Sequence, residues 1–296
     1  PWVIGFILFR GGPIIASLVL SFTDYNVASP PEWVALENFT RLFNDRIFLK
    51  SLQVSVYYTF LSVPLGIVAS LSLAVLLNQK GVPFLGLFRT LYYIPALVAG
   101  SVAVAFLFQW ILNPSFGIMN YLLSLFVGPS GIIPLGIKGP KWFFDPAWVV
   151  PSFVLLSLWG FGGSMLLYLA GLQGVPTTLY EAATIDGANA WQRFRNVTLP
   201  MISPVILFTF ITGMIGSFQV FTPAYIVSGG NGGPAYASMF YVLYLYLNAF
   251  RRYRFGYASS QAWLLFIVIL VLTFLSFRAS RRSVYYESAG EGDNAI

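Results

Sequence analysis

The residues best placed to carry function lie in one polar segment, 173–202, which separates two long apolar stretches. The chain contains no His and no Cys. This composition excludes a Ser-His-Asp triad, a thiolate nucleophile and any site with His or Cys ligands to a metal or cluster. We therefore predict no catalytic, cofactor-binding or metal-ligating residues. The residue types of the segment suit contact with another surface, and those of interest are Glu181, Ala182, Ala183, Asp186, Gly187, Leu199 and Pro200.

The composition predicts that the elements on either side of this segment lie in a lipid bilayer. Of the 296 residues, 57% are hydrophobic and only 9% are charged, whereas a soluble domain carries about 25% charged residues. The mean hydropathy of +0.76 also indicates a membrane protein. The net charge of +6 accompanies no recognisable nucleic-acid-binding pattern, so we expect contact with anionic lipid headgroups and none with nucleic acid.

Long intervals without charge predict the membrane spans. Arg195 and Arg251, for example, enclose 55 uncharged residues, 196–250, and a spanning helix needs about 20. The sequence predicts an all-α integral membrane protein with six transmembrane helices in one transmembrane domain over 1–280. The predicted spans are 1–22, 54–77, 90–112, 147–172, 203–223 and 257–278.

The aromatic stretch 236–250 is ambiguous. Fifteen helical residues rise about 22 Å, which is short of the hydrocarbon core, and its tyrosines suit the membrane interface. We predict an interfacial or re-entrant helix. A seventh span is the alternative, and it would move the C-terminus to the other side.

Positive charge does not decide the orientation. With six spans, the loops on one side and the tail carry seven Lys/Arg residues, and the loops on the other side carry eight, so the positive-inside rule is nearly balanced. Because the chain starts at Pro1, we expect its true N-terminus to be missing. Residues 281–296 are polar, and we expect them to form a disordered tail.

Segment 173–202 has the signals of two short helices. Pro176 suits a helix start, and Gly187 suits the position just after a helix end. A second helix is predicted over 189–195. Physical reasoning alone leaves two alternatives open, a docking surface for a partner and a structural pair of interfacial helices.

The same residues resemble the EAA loop of bacterial ABC importer permeases. The resemblance rests on Glu181-Ala182-Ala183, Gly187 and Leu199-Pro200 at their spacing; Val197 replaces the usual Ile. Further stretches resemble the carbohydrate-uptake branch of the maltose and glycerol-3-phosphate type, whereas Thr222 and Asn231 depart from it. These stretches are 21–24, 113–120, 169–173 and 257–259.

The resemblance implies a transport subunit and not an enzyme. Such a permease pairs with a second permease, docks its EAA loop on a cytoplasmic ATPase dimer and receives sugar from an extracytoplasmic binding protein. It lies in a prokaryotic inner membrane with 173–202 and both termini in the cytoplasm. Neither Lys80 nor Lys138 follows the glycine spacing of a phosphate-binding loop, as expected for a subunit that relies on a separate ATPase. A stand-alone channel or ion-coupled carrier is the alternative.

Two predicted spans carry candidates for the substrate pathway. An aromatic face and neutral polar groups suit a sugar, although small residues also pack helices together in membranes. These alternatives weigh equally. The candidates are Trp159, Gly160, Ser164 and Gln219.

Three arginines, Arg251, Arg252 and Arg254, precede the last predicted span. Lipid headgroups are the favoured partner for them, and contact with the binding protein is the alternative.

Overall fold

The computed structural model of the protein describes residues 1–79, 81, 83–128, 132–133 and 139–280. The predicted tail 281–296 lies outside these residues. The described part is almost entirely helical, with one two-stranded antiparallel ribbon that pairs β1 (Thr23–Asp24) with β2 (Glu32–Trp33). The helices are α1 (Trp2–Phe6), α2 (Gly12–Leu20), α3 (Glu37–Asn44), α4 (Arg46–Leu77), α5 (Leu85–Val98), α6 (Val102–Ile111), α7 (Ile118–Val127), α8 (Pro146–Leu158), α9 (Gly162–Gln173), α10 (Thr177–Ile185), α11 (Ala190–Arg193), α12 (Leu199–Met201), α13 (Ser203–Phe218), α14 (Thr222–Ser228), α15 (Tyr241–Tyr246) and α16 (Phe255–Ser280).

Short turns of other helix types join several of these elements. Their tighter or wider hydrogen bonding adjusts the direction of the chain between α-helices. The π-helical segments are Ile7–Gly11, Phe194–Thr198 and Leu247–Arg251, and the 3₁₀ segments are Trp142–Phe144 and Pro234–Tyr236.

Four helical stretches are long and apolar enough to cross a membrane: Trp2–Leu20, Arg46–Leu77, Ser203–Ser228 and Phe255–Ser280. Two helix pairs meet the same test but are bent, α5 with α6 by 104° and α8 with α9 by 53°. If each bent pair is one span, the described residues contain six, the number predicted from the sequence.

The helix of the second span starts at Arg46, eight residues before the predicted start of the span at residue 54. Its 32 residues rise about 48 Å, well beyond a hydrocarbon core of about 30 Å. The charged residues Arg46 and Lys50 therefore belong to the same helix but lie in the part that extends past the apolar core.

The bends in the third and fourth spans were not predicted. In the third span, Gly100 adopts a φ of +75°, a conformation that glycine tolerates and most residues avoid. The hydroxyl of Ser101 then accepts a hydrogen bond of 3.3 Å from the amide of Val104, so that α6 starts with its own cap. A glycine followed by a serine cap explains why one helix ends and another begins here.

The aromatic stretch 236–250 forms α15 and the π-helical segment after it. Together these elements cover Tyr241–Arg251, which rise about 16 Å and are too short to span. The structure offers no seventh candidate span among the residues it describes. Tyr241, Leu243 and Tyr244 are buried, so one side of this helix packs inside the protein, and an interfacial or re-entrant position stays a prediction.

The chain divides into two compact units. The first unit comprises 1–59, 101–153 and 217–272, and the second comprises 60–100, 154–216 and 273–296. In the first unit, Phe240 stacks edge-on against Tyr58 and Phe153, with centroids 5.2 and 5.0 Å away.

The core of the second unit lies directly beneath segment 173–202. Side chains of α4 and α9 meet there with Ile202, which is 1% exposed. This core anchors the segment, because hydrophobic side chains of the segment pack against its edge. They include Tyr180, Phe194, Val197 and Leu199.

Candidate functional site

Helix α10 has the start and end that the sequence predicts. It begins after Pro176 and ends at Ile185, and Gly187 follows with a φ of +75°. The amide of Ala188 donates to the carbonyl of Ala183 at 2.9 Å, and the amide of Gly187 donates to that of Thr184 at 3.1 Å. This is the double hydrogen bond of a Schellman motif, which needs a left-handed residue where Gly187 stands.

The second predicted helix begins with a complete capping box. The side chain of Asn189 accepts from the amide of Gln192 at 2.9 Å, and the side chain of Gln192 accepts from the amide of Asn189 at 2.8 Å. Helix α11 then passes into the π-helical segment Phe194–Thr198 and α12. The predicted helix 189–195 therefore continues to Met201 with a change of helix type.

Two side-chain hydrogen bonds join these two helical parts. The hydroxyls of Tyr180 and Thr198 lie 3.0 Å apart, and Nη1 of Arg193 donates to Oγ1 of Thr184 at 3.2 Å. Thr198 is buried. Neither contact was predicted from the sequence, where the only signal was an aromatic residue directly before Glu181.

The outward face of segment 173–202 carries most of the predicted contact residues. Glu181, Ala182, Asp186 and Gly187 are exposed, and Ala183 is half-buried. Large apolar side chains are exposed on the same segment, with Ile185 at 87% and Trp191 at 65%. Exposed apolar groups rimmed by polar ones are typical of a protein contact surface.

Leu199 and Pro200 have a different position. Both are half-buried, and Leu199 packs against the core of the second unit. Their place at the base of the segment suits anchoring of the segment.

A surface cavity of about 960 Å³ lies beside α10. Tyr180, Glu181 and Arg193 line it together with Asn78 at the end of α4. Segment 173–202 therefore has a surface cavity next to its exposed outward face.

The substrate-pathway candidates lie at breaks in helices. Trp159 and Gly160 belong to the turn between α8 and α9 in the second unit, and Ser164 lies in the first turns of α9. Gln219 is exposed and occupies the break between α13 and α14 in the first unit. Membrane transporters place substrate sites at such discontinuous helices.

The break near Gly160 is held by contacts that the sequence did not reveal. The hydroxyl of Ser70 donates to the carbonyl of Phe161 at 3.0 Å. A Cβ added to Gly162 would overlap the backbone carbonyl of Tyr92. Gly162 therefore allows α5 and α9 to approach at backbone distance, as small residues do between membrane helices.

A second polar network lies in the first unit around Asp45, just before α4. Oδ2 of Asp45 accepts from the hydroxyls of Tyr244 at 2.5 Å and Tyr257 at 2.8 Å. Burial disfavours the charged carboxylate, but these bonds and those from the amides of Phe48 and Ile47 outweigh it and hold the pKa of Asp45 below its ordinary value. Burial, followed by the nearby Asp45 carboxylate, raises the pKa of Tyr244. Asp45 is therefore an ionised hub that joins α4, α15 and α16.

Among the residues that the structure describes, no group of three or more acidic side chains is arranged to hold a metal ion. The outward face of segment 173–202 and the helix breaks therefore remain the candidate sites of this chain.

A family model decides what kind of protein this arrangement belongs to. The model for the binding-protein-dependent transport system inner membrane component matches residues 62–284, well over half of the chain. The chain belongs to this family. It is therefore a membrane component of a transport system, which confirms the predictions of a permease and of an inner-membrane location.

Relatives agree over almost their whole length. The probable ABC transporter permease protein YesP of Bacillus subtilis is 41% identical over 98% of this chain and 91% of that protein. The lactose transport system permease protein LacF of Rhizobium radiobacter is 37% identical over 91% of this chain and 88% of that protein. The arabinooligosaccharides transport system permease protein AraP of Bacillus subtilis is 34% identical over 95% of this chain and 86% of that protein. The predicted ABC permease is confirmed, as is the prediction of a transport subunit instead of an enzyme.

The fold has solved counterparts. One chain of a crystal structure of a bacterial alginate ABC transporter, in complex with an alginate-pentasaccharide-bound periplasmic protein, superposes with a TM-score of 0.79. The likeness covers 95% of this permease and 92% of that chain at 23% identity. It confirms the helical membrane permease fold.

Proposed function

We propose that this permease forms half of the translocation pathway of an ATP-driven sugar importer and takes its driving motion from a separate ATPase through segment 173–202, termed here the coupling loop. The observation that carries the proposal is the construction of the loop. Its exposed face holds Glu181, Ala182 and Ile185, while its inner face is fixed to the core by Tyr180 and Thr198. A surface that is both exposed and anchored can receive a force and pass it on.

Individual residues of the coupling loop would have distinct roles. Glu181 offers a carboxylate to a basic group of the ATPase, and Ala182 with Ala183 allows close approach. Gly187 forms the elbow between the two helical parts, and Asp186 precedes it as the helix cap. Leu199 and Pro200 anchor the base of the loop, consistent with their partial burial.

A sugar is the proposed substrate class. The relatives named above include permeases for lactose and arabinooligosaccharides. A permeating sugar needs neutral polar groups at membrane depth. The proposed pathway residues are Trp159 and Gly160 at one helix break and Gln219 at another. Ser164 is the further polar group close to the first break.

The proposal includes three protein partners. These are a second permease of similar fold, giving a heterodimer, a cytoplasmic ATPase dimer and an extracytoplasmic sugar-binding protein. The coupling loop must face the ATPase, so it and both termini, including the tail 281–296, would lie in the cytoplasm. One span, Ser203–Ser228, separates the coupling loop from residues 229–254, which would then face outward.

Transport by defined assemblies tests this function against a stand-alone carrier. Liposomes would hold either the tagged permease alone or the whole complex purified with it, and uptake of labelled oligosaccharides would be followed with and without internal ATP. We expect uptake only with the complex, ATP and binding protein. Uptake by the permease alone without ATP would refute the proposal.

A further inference from the structure

Three arginines lie on an exposed turn of the first unit between α15 and α16. We define the arginine turn as Arg251, Arg252, Tyr253 and Arg254, all of which are exposed. The turn is tightly built: the amide of Arg252 donates to the carbonyl of Leu247 at 3.0 Å, and that of Arg254 donates to the carbonyl of Asn248 at 2.8 Å. Tyr253 is held at a φ of +54°, so the backbone fixes where its neighbours project.

Two of the guanidinium groups are held in place by tyrosines. Cζ of Arg251 lies 5.7 Å from the ring centroid of Tyr225, and its Nη2 donates to the Tyr225 hydroxyl at 3.1 Å. Cζ of Arg252 lies 5.5 Å from the ring centroid of Tyr244, and its Nη1 donates to Oδ1 of Asn248 at 3.0 Å. Stacking and hydrogen bonding reduce the side-chain entropy that a partner would otherwise have to overcome.

No described acidic side chain forms an ion pair with these arginines. Within the described part of the chain the ion pair present is Arg41–Glu37, at 3.0 Å on α3. Asp45 reaches Arg252 only through the hydroxyl of Tyr244, which is 3.4 Å from Nη1 of Arg252. Arginines that are fixed but unpaired match the planar, two-oxygen geometry of a carboxylate.

The surroundings of the turn favour a protein over lipid as its partner. The turn ends a helical segment whose residues Leu247, Asn248 and Ala249 are buried. The first turn of α16, which follows the arginine turn, is buried as well at Gly256, Tyr257 and Ala258. The arginine turn therefore lies between two segments that are packed inside the protein. The exposed side chains of Phe250, at 56%, and Tyr253, at 59%, add the aromatic groups that protein interfaces favour.

We propose that the arginine turn is a docking surface for carboxylates on the extracytoplasmic binding protein. This inference rests on the proposed function, because that function places the turn on the outer side. The turn would steer the binding protein onto the permease and fix its register, as charged surface groups do in other complexes.

The test uses the complete transporter purified from its own membranes and the binding protein that belongs to it. Nanodiscs of neutral phosphatidylcholine remove anionic headgroups, and ATP hydrolysis is measured as binding protein is added. For the double variant Arg251→Gln with Arg252→Gln, we expect the half-maximal concentration of binding protein to rise about three- to tenfold. The rate without binding protein and the rate at saturation should stay unchanged.

Salt and control variants sharpen the result. Raising NaCl from about 50 to 300 mM should weaken wild-type docking more than docking of the double variant, because screening acts on exposed charges. Arg41→Gln is the matched control, since Arg41 is exposed in the same unit but already paired with Glu37. The single variant Arg251→Gln leaves the Asp45–Tyr244 network untouched and should give part of the same shift.

Three outcomes count against specific claims. Wild-type docking by the double variant would overturn the proposal. An effect seen only when phosphatidylglycerol is added to the discs would assign the turn to headgroups and would also overturn it. If ATP hydrolysis by the wild-type complex does not respond to the binding protein at all, the proposed function itself fails.

Discussion

The hydroxyl of Tyr180 lies 3.0 Å from Oγ1 of Thr198, and this hydrogen bond joins the exposed helix of the coupling loop to the base of the spans. Tyr180 stands next to Glu181 in α10, and its ring packs against the core of the second unit. Thr198 is buried at the end of a π-helical segment, five residues before α13 begins at Ser203. A push on the outer face of α10 therefore has a short physical route to a spanning helix.

The first prediction concerns this bond. Tyr180→Phe keeps the ring but removes the hydroxyl, so the loop still folds while its connection to Thr198 weakens. A neutral hydrogen bond contributes about 0.5–1.5 kcal/mol. We expect the amount of sugar transported per ATP hydrolysed to fall about two- to tenfold in the reconstituted complex, with normal binding of the ATPase.

The second unit offers a matched control for that variant. Tyr168 and Thr209 form another tyrosine–threonine pair, 2.5 Å apart, which joins the spanning helices α9 and α13 and does not involve α10. Tyr168→Phe should leave the transport-to-ATP ratio closer to wild type. Equal losses of this ratio in both variants would show that Tyr180 has no special role in coupling.

The second prediction concerns Gly187. Its φ of +75° strains any other residue, yet an added Cβ would meet no atom within 4 Å. Gly187→Glu should therefore cost only about 1 kcal/mol of local stability, while it distorts the elbow and adds a charge to the docking face. We expect uncoupled or absent transport with an unchanged melting temperature for the spans, measured by circular dichroism in detergent. Normal transport by this variant would contradict the docking role of the loop.

The third prediction separates two neighbouring glycines. Gly162→Ala would force α5 and α9 apart, because the new methyl group overlaps the carbonyl of Tyr92, and overpacking costs about 1–3 kcal/mol. Gly163→Ala meets only Cβ of Ala96 at 3.8 Å, an ordinary contact. A thermal unfolding series should show a lower melting temperature for the first variant alone. Similar temperatures for the two would mean that the helices do not approach this closely.

The fourth prediction is a dependence of stability on pH through Asp45. Its pKa in the folded protein lies below the ordinary 3.8, so its ionised form stabilises the fold at any pH above that value. This stabilisation disappears as the pH falls through the lowered folded pKa. We expect Asp45→Asn to cost about 1 kcal/mol at pH 7, because hydrogen bonds to a charged acceptor are the stronger ones.

Melting temperatures from pH 7 to pH 3 would check this. The difference between wild type and Asp45→Asn should shrink at the acid end. Asp145→Asn is the control, since Asp145 also accepts a hydrogen bond at a helix start, from the amide of Ala147 at 3.0 Å. A pH-independent gap for Asp45→Asn would rule out an ionised hub.

Much of the fold followed from residue types alone. Intervals without charge located the spans because lipid tolerates few charges, and Pro176 with Gly187 located the ends of α10 because their backbone preferences are strong. The exposed part of the coupling loop was also predictable, because its motif residues lie close together in the sequence.

Contacts between residues distant in sequence were not predictable in this way. Asp45 and Tyr244 are far apart in the chain, and nothing local to either residue indicates that they pair. The bend at Gly100–Ser101 was hidden inside an uninterrupted apolar interval, where hydropathy does not distinguish one helix from two. The motif contains Leu199, but its packing against the core of the second unit depends on tertiary contacts and could not be predicted from the motif.

The central claim, docking of the coupling loop on an ATPase, is tested most directly by purification of the tagged permease from its own membranes. The measurement compares the amounts of ATPase and second permease recovered with wild type, with Glu181→Lys and with the control Glu37→Lys. Glu37 is an exposed acidic residue of the first unit. We expect Glu181→Lys to lose most of the ATPase but keep the second permease, and Glu37→Lys to keep both. Equal recovery of the ATPase with Glu181→Lys and wild type, or a wild-type permease recovered alone, would contradict the account.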